Sequence, residues 1–74
     1  MTSSPSRTIP VTVNGESREI RSGASVADLL GELELGPDRV AVERNRAILP
    51  RDRYGETLLA AGDRIEIVHF VGGG

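Results

Sequence analysis

The chain has 74 residues, with nine basic and eleven acidic side chains, a formal net charge of −2 at pH 7 and 3% aromatic residues. This length predicts one small domain and excludes enzyme architectures that build a walled cleft within a single chain. Nucleic-acid binders of this size usually present a basic face and aromatic rings on which bases stack, so the composition argues against a nucleic-acid partner.

The first elements predicted along the chain are an arm and a β-hairpin. Residues 1–7 are polar and lack periodicity, which predicts a flexible N-terminal arm. Strand-type alternation of apolar residues follows at Ile9, Val11 and Val13. Asn14-Gly15 comes directly afterwards and indicates a hairpin, because both residues tolerate positive φ. Residues 16–21 are therefore predicted to form the returning strand, with Ile20 as its inward residue.

A single helix is predicted to begin after Ser25. The Ser25 hydroxyl can cap free amide groups, and Asp28 three residues later suits the positive end of the helix dipole. Apolar residues recur at helical spacing and form one stripe of Val26, Leu29, Leu30 and Leu33. Gly36-Pro37 is expected to end the helix after two to three turns.

The second half of the chain predicts three further strands. Strand alternation at 40–43 is followed by a turn at Asn45 and a short strand at 47–49 that Pro50 ends. Residues 51–61 are predicted to form an irregular connection. The Gly62-Asp63 turn then leads into a last strand at 64–70. One helix can cover only one face of such a sheet, so two layers are expected. The order of elements predicts an α+β, β-grasp (ubiquitin-like) fold, in which a mixed four- to five-stranded sheet packs against one main helix.

The domain division predicted from these patterns is a flexible arm at 1–7, a β-grasp domain at 8–71 and a flexible glycine tail at 72–74. No apolar run approaches the roughly 18 residues that span a bilayer, and no signal-peptide core follows Met1. A cytoplasmic protein without a membrane partner is therefore expected.

The sequence lacks the motifs that carry catalysis or bind metal. There is no cysteine, no Gly-Lys-Ser/Thr phosphate loop and no Gly-x-Ser-x-Gly motif. The one histidine, His69, provides no transition-metal site, and its position on the face of Ile65 and Ile67 places it at the rim of the core. Most acidic residues fall on solvent faces. We therefore expect no catalytic residue, no metal site and no enzyme activity.

The three consecutive glycines, Gly72, Gly73 and Gly74, are the most unusual feature of the sequence. At an average glycine frequency of about 7%, three in a row at one given place arise by chance about once in 3,000 proteins. Residues without Cβ make a thin ribbon that can enter a narrow channel. Four residues from Val71 to Gly74 reach at most about 14 Å, which would carry an α-carboxylate into the active site of a partner.

The outer face of the last strand offers a docking surface beside this tail. Ile65, Ile67 and His69 share one face, which leaves Val68 and Phe70 on the other, directly before Val71. These apolar residues either wrap the edge of the core or form a patch that a partner grips. The sequence favours docking through Val68, Phe70 and Val71.

With these features the sequence resembles the ThiS family of sulfur carrier proteins in thiamine biosynthesis. The resemblance covers nearly the whole chain from Ile9. The Pro-Arg after the fourth strand, the Gly-Asp turn and the glycine terminus are its specific features. The resemblance rests on Val13-Asn14-Gly15-Glu16, Ser25-Val26-Ala27-Asp28-Leu29-Leu30, Val40-Ala41-Val42-Glu43, Ile48-Leu49-Pro50-Arg51, Gly62-Asp63-Arg64-Ile65-Glu66-Ile67-Val68 and His69-Phe70-Val71-Gly72-Gly73-Gly74.

The resemblance implies that a ThiF-type enzyme adenylates Gly74, that the adenylate becomes a thiocarboxylate, and that thiazole synthase (ThiG) receives the sulfur. ATP and magnesium would then belong to the activating enzyme, and this chain would bind no cofactor. Three alternatives stay open at the level of the sequence. They are the small subunit of molybdopterin synthase (MoaD) or another sulfur carrier, a ubiquitin-like modifier attached to target lysines, and a plain interaction domain.

Overall fold

A computed structural model describes residues 7–70 and shows a mixed five-stranded sheet with one α-helix on one face. The elements are β1 (Thr8–Val13), β2 (Glu16–Arg21), α1 (Val26–Glu32), β3 (Val40–Arg44), β4 (Ala47–Leu49) and β5 (Arg64–His69), with short 3₁₀ turns at Pro37–Arg39 and Arg51–Arg53. The two-layer α+β architecture predicted from the order of elements is confirmed.

The strands lie in the order β2-β1-β5-β3-β4, so the last strand of the chain occupies the centre of the sheet. β5 pairs in parallel with β1 and antiparallel with β3, while β1–β2 and β3–β4 are antiparallel hairpins. The first hairpin turns at Asn14 and Gly15, both with positive φ, as the sequence predicts. This arrangement places the end of β5 beside the start of β3.

The helix begins as predicted but ends earlier than the sequence suggests. Gly36-Pro37 was expected to end it, yet α1 stops at Glu32, and Glu34 takes the left-handed position with φ 61°. The Leu35 N–H donates to the Leu30 carbonyl at 2.9 Å and the Glu34 N–H donates to the Gly31 carbonyl at 3.0 Å. These two bonds form a Schellman motif, which satisfies the last carbonyls of the helix without a glycine at the left-handed residue.

The core lies between the helix and the inner face of the sheet. Alternating residues of the strands meet the apolar stripe of α1 there, with Tyr54 and Leu59 from the irregular connection closing one side. The buried residues are Val11, Val13, Ile20, Ala24, Val26, Leu29, Leu30, Val40, Val42, Tyr54, Leu59 and Ile65. Because the one α-helix of residues 7–70 packs on this inner face, the outer face of the sheet is left without a covering helix in the described part of the chain.

The N-terminus of α1 is held by a capping box. The Ser25 hydroxyl accepts from the Asp28 N–H at 3.0 Å, and the Asp28 carboxylate accepts from the Ser25 N–H at 2.9 Å. The hydrogen bond from the Ser25 backbone holds the pKa of Asp28 below its ordinary value of 3.8. Both residues that the sequence assigned to this cap therefore occupy it.

Substitution Ser25→Ala is expected to lower the free energy of unfolding by about 1 kcal/mol, because the Asp28 N–H loses its acceptor in a buried position. Urea unfolding measures this difference, with Ser17→Ala on exposed β2 as the control. Equal stability of the two variants would show that the capping box contributes nothing.

Candidate functional site

The end of β5 is held in place on its β1 side by a side chain as well as by backbone. β1 pairs with β5 only at Thr12 and Val13, after which the chain turns away. The Asn14 side chain then continues the ladder, since its Nδ2 donates to the Ile67 carbonyl at 3.2 Å and its Oδ1 accepts from the Ile67 N–H at 2.7 Å. Asn14 therefore fixes β5 up to the residue before Val68.

The start of β5 is anchored by Asp63, a buried carboxylate that the sequence assigned only to the Gly62-Asp63 turn. It accepts hydrogen bonds from Arg44 Nε at 2.9 Å, from Asn45 Nδ2 at 3.1 Å and from the Ala60 N–H at 2.8 Å. Burial raises the pKa of Asp63, but the bonds from Ala60, Asn45 and Arg44 outweigh it, so the net pKa lies below 3.8. No sequence signal beyond the Gly-Asp turn points to this network, because two of its three donors, Arg44 and Asn45, come from the β3–β4 region.

The apolar residues predicted to face outward at the end of β5 are exposed. Val68 is 60% and Phe70 54% exposed, so neither wraps the core. Ile48 of β4, which the sequence analysis did not select, is 77% exposed and lies on the same face, because it pairs with Glu43, which pairs with Glu66 of β5. We call Ile48, Val68 and Phe70 the outer patch.

One predicted docking residue and the predicted glycine tail lie outside the described residues. Val71 and the glycines Gly72, Gly73 and Gly74 follow Phe70, where the description ends. Phe70 itself is still held beside the start of β3, since its N–H donates at 3.0 Å to the carbonyl of Arg39, the residue before that strand. The described chain therefore ends next to the outer patch, and the roles of Val71 and the three glycines in docking and transfer stay predictions.

His69 is exposed, so its predicted place at the rim of the core is wrong. It is the last residue of β5 and pairs with Val40, the first residue of β3. His69 instead lines an open groove of about 350 Å³ together with Glu34, Leu35, Gly36, Arg39 and Phe70. No sequence pattern predicts this groove, because its walls come from two stretches of chain, 34–39 and 69–70, that are distant in the sequence.

The described residues contain neither a metal-binding cluster nor a membrane-spanning helix. From residue 7 to residue 70, no cluster of three or more His, Cys, Asp or Glu is placed to hold a metal ion. In the same part of the chain, no helix is long and apolar enough to cross a membrane.

Comparison with known proteins identifies the family. The model of the ThiS family matches residues 11–74, which include the whole sheet beyond the first residues of β1 and all three glycines. The chain belongs to the ThiS family. The resemblance stated on the sequence motifs is thereby confirmed.

Relatives and solved structures agree with membership in the ThiS family. The sulfur carrier protein ThiS of Bacillus subtilis is 50% identical over 50 residues, which cover 68% of this chain and 76% of that protein. The crystal structure of the thiamine biosynthesis protein ThiS from Geobacter metallireducens superposes with a TM-score of 0.76 at 32% identity, over 89% of this chain and all of that one. The β-grasp fold and the expectation of a ThiS-type sulfur carrier are confirmed at the level of the family.

A third relative is much longer than the chain. A thiazole synthase of Magnetococcus marinus is 44% identical over 64 residues, which cover 86% of this chain but only 20% of that protein. The chain therefore spans about a fifth of the thiazole synthase that it matches. Sequence similar to this ThiS-family chain occurs within a protein named for thiazole synthesis.

Proposed function

We propose that this chain is a sulfur carrier protein of thiamine biosynthesis whose Gly74 carboxylate is converted to a thiocarboxylate by a partner enzyme. The observation that carries the proposal is the extent of the ThiS match, which runs through the exposed end of β5 to the last glycine. The chain would be a co-substrate without catalytic residues of its own. Its proposed location is the cytoplasm.

The chemistry proposed for Gly74 follows from its α-carboxyl group. An α-carboxyl has an ordinary pKa near 3.5, so at neutral pH it is an anion able to attack the α-phosphorus of ATP. Pyrophosphate leaves, an acyl adenylate forms, and a sulfide equivalent from a sulfur donor then displaces AMP. The resulting thiocarboxylate is a better nucleophile than the carboxylate. ATP and magnesium would be held by the adenylating enzyme.

Two partners are proposed, a ThiF-type adenylating enzyme and the thiazole synthase ThiG. The name of the Magnetococcus relative supports thiazole synthase, and it favours the thiamine pathway over molybdopterin synthesis. Each partner would bind the exposed residues of β5 while residues 71–74 extend into its active site. Four extended residues span at most about 14 Å.

Intact-protein mass spectrometry tests this function directly. After incubation with ATP, magnesium, a ThiF-type enzyme and a sulfur source, we expect a mass gain equal to the difference between one sulfur and one oxygen atom, confined to the terminal peptide. No gain with an enzyme shown to act on its own partner would contradict the proposal. Adducts to lysines of other proteins in a lysate would instead indicate a modifier.

Substitution Phe70→Asp is expected to weaken docking to the adenylating enzyme far more than it lowers thermal stability. Phe70 is about half exposed, so a charge there costs little in the free chain but would be buried without a partner in the complex. We expect at least about a tenfold rise in KM, since hot-spot residues of this kind contribute more than about 1.4 kcal/mol.

Leu58→Asp is the matched control for Phe70→Asp, because Leu58 is 59% exposed and lies outside the outer patch. Its KM should stay at the wild-type value. Equal losses of stability and docking in Phe70→Asp would show that Phe70 belongs to the core.

A further inference from the structure

Two carboxylates face each other in the middle of the exposed side of the sheet. Glu43 of β3 pairs directly with Glu66 of β5, and both residues are exposed. Side chains at directly opposite positions have Cβ atoms about 4.5–5.5 Å apart, and like charges there are destabilising. The fold therefore contains a repulsive pair at two exposed positions where folding does not require an acidic side chain.

No basic side chain of residues 7–70 forms an ion pair with Glu43 or Glu66. The ion pair present between residues 7 and 70 joins Arg44 to Asp63, and it lies on the inner side of the sheet. Arg64 shares the outer face, two residues before Glu66, but forms no ion pair with it. The two carboxylates are thus left to water or to a partner.

The pair lies within the outer patch. Ile48 is the cross-strand neighbour of Glu43, and Val68 follows Glu66 by two residues on the same face. An exposed apolar patch of this kind marks an interaction surface. When a partner covers it, the carboxylates lose water and require a cationic partner with matching geometry.

We propose that the outer patch docks on a protein surface that inserts an arginine between Glu43 and Glu66, with apolar contacts to Ile48, Val68 and Phe70. A planar guanidinium has five donors, can serve two carboxylates at once and is weakly hydrated, which suits an apolar surround better than lysine. The inference rests on the proposed function, because it assigns this surface to the enzyme that activates Gly74.

The charge of the patch argues against other occupants. A second copy of the chain, packed symmetrically on the same face, would bring four carboxylates together. An anionic membrane surface or a nucleic acid would meet the same repulsion. A basic protein surface is the occupant that charge complementarity favours.

Steady-state activation of Glu43→Gln, Glu66→Gln and Glu66→Arg by the ThiF-type enzyme tests the inference, with Glu16→Gln as a control that removes the same charge from exposed β2. We expect KM to rise about tenfold or more in Glu66→Gln, as for the loss of a charged hydrogen bond, with unchanged kcat. The KM of wild type should also rise with salt more steeply than that of Glu66→Gln.

Thermal unfolding of the isolated chain separates docking from folding. Because repulsion is removed, the Tm of Glu66→Gln should rise by about 1–4 °C. Glu66→Arg should be at least as stable, since arginine can pair with Glu43, and yet should dock more weakly still. Stability and affinity are thus expected to change in opposite directions.

The results that would overturn the arginine site differ from those that would overturn the proposed function. Normal activation of wild type together with equal KM values for Glu66→Gln and Glu16→Gln would overturn the arginine site alone. A partner-free dimer in sedimentation that Phe70→Asp dissociates would also overturn it, in favour of a second copy. If wild type gains no sulfur, the proposed function fails and this inference falls with it.

Discussion

Deletion of Gly73 and Gly74 is expected to abolish thiocarboxylate formation while leaving the fold intact. The buried core ends at Ile65, and the last hydrogen bond of the described chain involves Phe70, so the deletion removes none of these contacts. The shortened tail would end at Gly72 and bring its carboxylate about 7 Å short of the position reached by Gly74. At that distance attack on ATP requires the whole domain to move, and proximity effects on rate are lost.

Mass spectrometry and circular dichroism together check this deletion. The mass gain should disappear, whereas the far-ultraviolet spectrum and the Tm should match those of the full chain. Removal of Thr2 and Ser3 is the control, since it shortens the chain equally at the other end and should leave sulfur transfer unchanged. Sulfur transfer by the chain that lacks both glycines would refute the carrier mechanism.

The second large effect is expected for Asp63→Asn, which should lower the free energy of unfolding by about 2–3 kcal/mol at pH 7. The Asp63 carboxylate accepts from three donors, and an amide would set its own NH₂ group against one of them. Because Asp63 joins Arg44 and Asn45 to the start of β5, the loss should also loosen the strand that leads to the tail.

The same substitution has a predicted pH dependence. The folded pKa of Asp63 is lowered, so its contribution to stability is present above the unfolded value near 3.8 and is lost as the pH falls through the folded pKa. The difference in unfolding free energy between wild type and Asp63→Asn should therefore shrink from pH 7 to pH 3. Urea titrations at both pH values measure it, with Asp52→Asn as an exposed control. A difference that is the same at both pH values would show that the charge of Asp63 is unimportant.

Much of the fold follows from local signals that the sequence carries by itself. Asn14-Gly15 specifies a tight turn because both residues take positive φ, and alternation on either side defines two strands. Ser25 and Asp28 specify where the helix begins because they satisfy its free amides within four residues. Each of these features depends on neighbours close in the chain, and so could be predicted without the tertiary structure.

The candidate site likewise contains residues whose exposure local patterns predict and a residue whose exposure they do not predict. The exposure of Val68 and Phe70 could be inferred from the two-residue period of one strand. Ile48 could not, because its face depends on the register of a three-residue strand against β3. Register is decided when several strands pack together, and a shift by one residue would turn Ile48 to the other face.

What the sequence alone determined is the order of elements, the hairpin, the helix start and the family-typical glycine end. The tertiary structure decided which side chains became neighbours. It buried Asp63 beside Arg44 from 19 residues away and set Glu43 opposite Glu66 in the outer patch. Local propensities cannot specify such contacts, because their free energy arises only when segments distant in the chain are packed together.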